Sequence, residues 1–169
     1  MALGLPVMIW SCTKWKDKPA ADLGLTRKYC NVPQAINYND SFPGVEDNTT
    51  CIYPSDPFAG TYTFFDTIYR SEADTLFGPE ITFSITALDT FRLGIDGFCS
   101  SRQLRFTADR YYNALSDTII GAGTQLMCRD QDTLSGTLKY NYSDNTLLLS
   151  FTVVTDTGTV THQGTAFKK

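Results

Sequence analysis

His162 is the one imidazole in the chain, so any base-assisted nucleophilic chemistry has to be built around it. A serine or cysteine nucleophile needs such a base within hydrogen-bond reach. His162 lies in Gly-Thr-Val-Thr-His-Gln-Gly-Thr-Ala-Phe, residues 158–167, a threonine-rich segment that reads as a closing strand. There an imidazole is expected to line or cap a sheet rather than activate a nucleophile. Paired carboxylates hydrolyse glycosides, and Glu72, Asp74 and Glu80 gather in one short stretch. Gly121-Ala122-Gly123 lacks the further glycine and the following helix of a dinucleotide loop. No catalytic residue is assigned. The expectation is a protein that is not an enzyme and uses no cofactor. A carbohydrate-active hydrolase working through the loop carboxylates is the alternative.

The five cysteines, Cys12, Cys30, Cys51, Cys99 and Cys128, contain no Cys-x-x-Cys pair. Zinc sites need such close spacing, usually with histidines, so no metal centre is expected. Four of the cysteines fall into two spaced pairs. Three connectivities are open in principle. Local pairing of Cys30 with Cys51 and of Cys99 with Cys128 is preferred, because each pair brackets a coherent segment. Five reduced thiols in a cytosolic protein would be the other arrangement. Cys12 is then odd, directly after the apolar opening Met1–Trp10 and before a basic stretch. Residues 13–28 carry Lys14, Lys16, Lys18, Arg27 and Lys28 against Asp17 and Asp22, a net of +3 within a chain of −4. A basic stretch joined to an acidic body suits a tether near an anionic membrane surface, or an inert solvated linker. The acidic balance argues against nucleic acid as a partner.

These groups have to be held by two kinds of chain. Residues 29–54 are dense in turn formers, among them Asn31, Pro33, Asn37, Asn39, Pro43, Gly44 and Asp47,. Asn37, Asn39, Asp40, Glu46 and Asp47 offer oxygen ligands to calcium, but without the spacing of a known loop. They are read as turn residues. From about Phe58 onward, apolar and polar residues alternate with period two. Ile81, Phe83 and Ile85 share one face, as do Phe91, Leu93 and Ile95; Leu104, Phe106 and Ala108; Leu138, Tyr140 and Tyr142; and Leu147, Leu149, Phe151 and Val153. Turn signals fall at Phe77-Gly78-Pro79, Asp96-Gly97, Ser143-Asp144-Asn145 and Thr155–Gly158,. Short strands at this spacing predict an all-β fold. A small antiparallel meander barrel is favoured because closure removes exposed edges. Tyr62, Phe64, Tyr111, Tyr112, Tyr140, Tyr142 and Phe151 are candidates to line a ligand cup, or else to fill the barrel. Tyr62, Phe64, Tyr140 and Tyr142 are the ligand-lining residues singled out, for a small apolar or glycan ligand.

Three stretches resemble known families. Ile9-Trp10-Ser11-Cys12 resembles the lipobox of bacterial lipoproteins, with Trp10 where that family carries a small residue; this implies acylation of Cys12. Cys30, Pro33, Ala35, Asn37, Tyr38, Asn39, Asp47, Thr50, Cys51 and Tyr53 resemble a cysteine-bounded motif of exported proteins in Bacteroidota-type bacteria. Gly60-Thr61-Tyr62, Gly121-Ala122-Gly123-Thr124 and residues 137–151 are similar to small lipocalin-like lipoproteins of the same bacteria. Together they imply a lipid-anchored protein of the periplasm or outer membrane in a Gram-negative cell. In that organisation residues 1–11 are a signal segment and 12–28 a tether. Residues 29–54 are a disulfide-stapled loop segment, and 55–169 a lipocalin-like barrel. The role expected is non-catalytic, either binding or envelope-structural. A protein-interaction module is a further alternative.

Overall fold

The computed structural model describes residues 24–39, 44–71, 74–100, 102–118 and 124–169. Two short strands, β1 (Lys28–Tyr29) and β2 (Val45–Glu46), pair in parallel ahead of a single 3-10 turn at Asn48–Thr50. A second 3-10 turn, Asp56–Phe58, leads into the strands β3 (Gly60–Ser71), β4 (Asp74–Ala87), β5 (Arg92–Asp96), β6 (Leu104–Ala108) and β7 (Asn113–Ser116). β8 (Gln125–Leu126), β9 (Thr133–Asn141), β10 (Thr146–Thr155) and β11 (Gly158–Lys168) complete the chain.

Eight of these strands close in the order β3-β4-β5-β6-β7-β9-β10-β11, with β11 returning to β3; every pairing is antiparallel. The fold is therefore the all-β antiparallel barrel that the alternation predicts. β8 joins the edge of β9 at Leu134 and Thr133, where β7 has already ended. Eight strands leave an interior that side chains can fill. Tyr62, Phe64, Phe83, Leu93, Ile95, Leu104, Phe106, Leu138, Leu147 and Leu149 do so, all buried. Between them lies a void of ≈ 10 Å³ lined by residues including Ile95, Phe98, Leu134 and Phe151, about the least that can hold one water.

One expected turn is not a turn. Phe77-Gly78-Pro79 lies inside β4, where the pairing with β3 slips between Phe65 and Thr67. Proline has no N–H for the ladder, and a β-bulge is one of the few places in a sheet that tolerates it.

Cys30–Cys51, ahead of the barrel, and Cys99–Cys128, which joins the turn after β5 to the turn before β9, are both bonded, in the local pairing the spacing favours. Each closes a loop of a size that constrains the unfolded chain by roughly 3 kcal/mol. The first bond staples a segment with little core of its own. There Asn37 donates to the Thr50 carbonyl and accepts from the Ile52 amide. Asp47 caps the Asn48–Thr50 turn through the Thr49 amide and meets Lys28 Nζ at 2.8 Å. These oxygens hold backbone and lysine, as expected of turn residues. Among the described residues no group of three metal-ligating side chains occurs; Asp40 lies outside them.

Hydrogen bonds from Lys28 and Thr49 hold the Asp47 carboxyl down to about 2. A lowered carboxyl stabilises the fold above its unfolded value of about 3.9 and loses that contribution as pH falls through the folded value. Asp47→Asn is accordingly expected to lower the thermal midpoint slightly at pH 7, since the pair is exposed. The gap to the parent should shrink below about pH 4 and vanish near pH 2. A gap that persists at pH 2 in a thermal melt would assign the effect to something other than the charge.

Candidate functional site

Registered neighbours across the wall put three rows of side chains inside the barrel. Tyr140, Leu147, Ala166, Phe64 and Ile81 form one row; Leu138, Leu149, Gly164 and Asp66 the next; Gly136, Phe151, His162 and Ile68 the third. Small residues face large ones. A Cβ on Gly136 would stand 2.4 Å from the Phe151 Cβ, and one on Gly164 2.0 Å from the Phe65 carbonyl oxygen. Gly164→Ala is thus expected to cost about 1–3 kcal/mol through overpacking. Circular dichroism melts check this, and an unchanged midpoint would mean the wall relaxes freely there.

Asp66 is the one buried charged residue among those described, 4% exposed. It follows Tyr62 and Phe64 on the inward parity of β3, beside the bulge. A Cβ on Gly78 would sit 2.9 Å from its Oδ2, so the bare glycine makes room for the carboxylate. Oδ2 lies 2.7 Å from Nδ1 of His162, across 96 residues of sequence. Oδ1 is buried with no partner. The His162 ring stacks on Phe151, centroids 4.8 Å apart and planes 8° from parallel. With Nδ1 committed to the carboxylate, Nε2 is the ring nitrogen turned away from that bond,.

This is the base-and-orienter half of a nucleophilic triad. Among the described residues no hydroxyl or thiol hydrogen-bonds the ring. His162 lines the barrel, as its strand suggests, and its partner Asp66 was legible only as an acid at an inward position of an alternating strand.

Phe98 shuts this end. It enters from the turn after β5 and packs on Phe83, Phe151 and Phe64 at centroid distances of 4.9, 5.6 and 6.2 Å. Gly97 makes the entry by adopting φ +117°, with its backbone so close that a Cβ would stand 2.8 Å from the Thr82 carbonyl oxygen. The next residue, Cys99, is bonded to Cys128, whose sulfur also meets the Phe98 carbonyl at 3.5 Å.

The opposite end is sealed by Tyr62 and Tyr140. Tyr62 donates to the Phe58 carbonyl at 2.9 Å, and Tyr140 to Asn145 Oδ1 at 2.6 Å. Burial pushes both phenols up. Lys168 Nζ lies 5.9 and 6.0 Å from their ring centroids, within cation–π range.

Of the four residues singled out to line a cup, Tyr62, Phe64 and Tyr140 are packed side chains of the core. Tyr142 is 72% exposed. It comes after β9 has ended at Asn141, so the strand's parity no longer turns it inward. It touches Tyr112 at 6.0 Å, not Tyr62 or Phe64. Tyr112 and Phe151 are likewise packing partners, and Tyr111 is exposed.

Glu72, Gly121, Gly123 and Cys12 lie outside the described residues. Asp74 and Glu80 stand six positions apart along β4, roughly 20 Å at strand rise. Glycosidase carboxylates face each other at about 5–10 Å.

On the outer wall two adjoining grooves of ≈ 530 and ≈ 390 Å³ share Thr137 and Ser150; the first is lined largely by hydroxyls, the second by a mixture that includes Lys139, Leu148 and Gln163. Phe65 and Phe167 form an edge-on pair at 5.9 Å, both about half exposed. The two disulfides fit an oxidising, extracytoplasmic compartment, and among the described residues no helix is long and apolar enough to cross a membrane. Comparison with known protein families, characterised proteins and solved structures finds no match.

Proposed function

We propose that this chain is an exported lipoprotein of a Gram-negative cell envelope, acylated on Cys12 and tethered by residues 12–28. Its barrel acts without catalysis, in an envelope-structural role ahead of a standing ligand cup. The observation that carries this is the pairing of four cysteines in two bonds. That arithmetic leaves Cys12 with no intrachain cysteine partner, just after an apolar run and before a basic one. The filled interior favours the structural role over an open cup. Cys12→Ser in the full-length precursor is expected to move the protein from the membrane to the soluble fraction. It should also abolish labelling by an alkyne fatty acid. Unchanged fractionation and labelling would overturn the anchor.

The exposed Phe65–Phe167 pair beside Leu148 favours a second reading, in which the outer wall docks on another envelope protein. Phe65→Ser with Phe167→Ser would then abolish partner crosslinking without altering the melt.

A further inference from the structure

The barrel end around Asp66 holds a contradiction that a ligand resolves. Asp66 is 4% exposed and its Oδ1 has no hydrogen-bond partner. A buried acceptor without a donor keeps the full cost of its lost hydration. His162 serves Oδ2, and the neighbouring position on β11 is a glycine with no side chain to offer.

Beside it, the side chain that closes the barrel does not come from the barrel wall. Phe98 belongs to a turn, is only partly buried, and is one ring away from His162 through Phe151. The void it borders is apolar throughout. Its side chain holds the wall through ring packing, with Cys99–Cys128 anchoring the chain next to it. The rings that Phe98 packs on flank Asp66: Phe64 lies two residues before it on β3, and Phe151 stacks on its partner His162. An apolar chamber with a polar group close by is the usual composition of a small-ligand site. Here the chamber is occupied by the protein's own phenyl ring.

We propose that Phe98 is a displaceable plug over a ligand site. The ligand is a compact amphiphile: an apolar body the size of one aromatic ring takes the place of Phe98, and its hydrogen-bond-donating head reaches Asp66 Oδ1. This goes beyond the envelope role and does not depend on it. The ring of the ligand replaces the contacts of the Phe98 ring with Phe83, Phe64 and Phe151, so the exchange is near balance in packing. The new hydrogen bond to Asp66 is what favours the ligand. The disulfide limits how far the plug swings out and returns it when the ligand leaves.

The test uses the oxidised full chain and three probes of one shape: 2-phenylethylamine, 2-phenylethanol and propylbenzene. Binding is read by calorimetry and by shifts of the Phe98 ring resonances. Saturable binding is expected, with both donor-headed probes at least tenfold tighter than propylbenzene. Phe98→Ala should tighten all three, because the plug no longer competes. In that background Asp66→Asn should weaken the amine tenfold or more and leave propylbenzene within twofold. Should Asp66→Asn fail to fold, the ranking of the three probes on the parent and on Phe98→Ala decides. Absence of saturable binding to the parent would overturn the proposal, as would equal affinity for the three probes. Loss of the membrane anchor in Cys12→Ser would leave these affinities unchanged, so the two readings fail separately.

Discussion

His162→Leu is expected to destabilise the barrel by about 3–5 kcal/mol, the largest single effect anticipated here. The substitution leaves Asp66 inside the barrel, its side chain 2% exposed, with neither oxygen partnered. It also removes the ring stacked on Phe151 at 4.8 Å. A buried carboxyl with no donor to either oxygen carries the full cost of its lost hydration. The pair itself is weak evidence for net stability, since replacing both partners of a buried hydrogen-bonded pair by apolar groups is often close to neutral. Asp66→Leu combined with His162→Leu should therefore recover most of the loss. Urea unfolding of the two single variants and the double variant measures this directly. If the double variant falls as far as the sum of the singles, the two residues act independently and the 2.7 Å contact carries no coupling,.

Gln125→Leu is expected to cost about 2–4 kcal/mol, although leucine is the more apolar residue and the position is 1% exposed. β8 is two residues long and pairs with β9 on one side only. On its other side the Gln125 amide takes the place of a strand. Its Oε1 accepts from the Arg105 N–H at 2.8 Å, and its Nε2 donates to the Arg105 carbonyl at 2.6 Å. That carbonyl also accepts from the Asp117 N–H at 2.9 Å, so it keeps a partner in the variant. The Arg105 N–H does not. The loss is thus one orphaned donor plus one neutral hydrogen bond. Hydrogen exchange should show it as faster opening at Arg105 and in β6, with β10 and β11 unaffected. Uniform acceleration across the barrel would instead mean that Gln125 supports the whole fold through packing.

Both effects sit at places where sequence reasoning was thin, and for a common reason. The alternation in β3 marks residue 66 as inward, because parity along a strand is local. Nothing local says that residue 162 becomes its neighbour, since that depends on β11 closing onto β3. Gln125 lies in a two-residue strand, too short for any period. Phe98 sits in a turn, where burial follows no period at all. Tyr142 shows the opposite failure: the alternation of Leu138 and Tyr140 was carried one step past the end of β9.

What the sequence determined by itself is the all-β class and the inward faces of β4, β5, β6, β9 and β10; among three open cysteine connectivities it favoured the local pairs that the structure holds. Each depends on residues near in the chain. A strand's faces follow from its own period-two pattern, and each cysteine pair brackets its own segment. Only the tertiary structure decided that Gly78-Pro79 is a bulge, that Phe98 fills a barrel end, and that Asp66 meets His162 across 96 residues. Those outcomes depend on which strands become neighbours and at what register, and closure of the barrel fixes both at once.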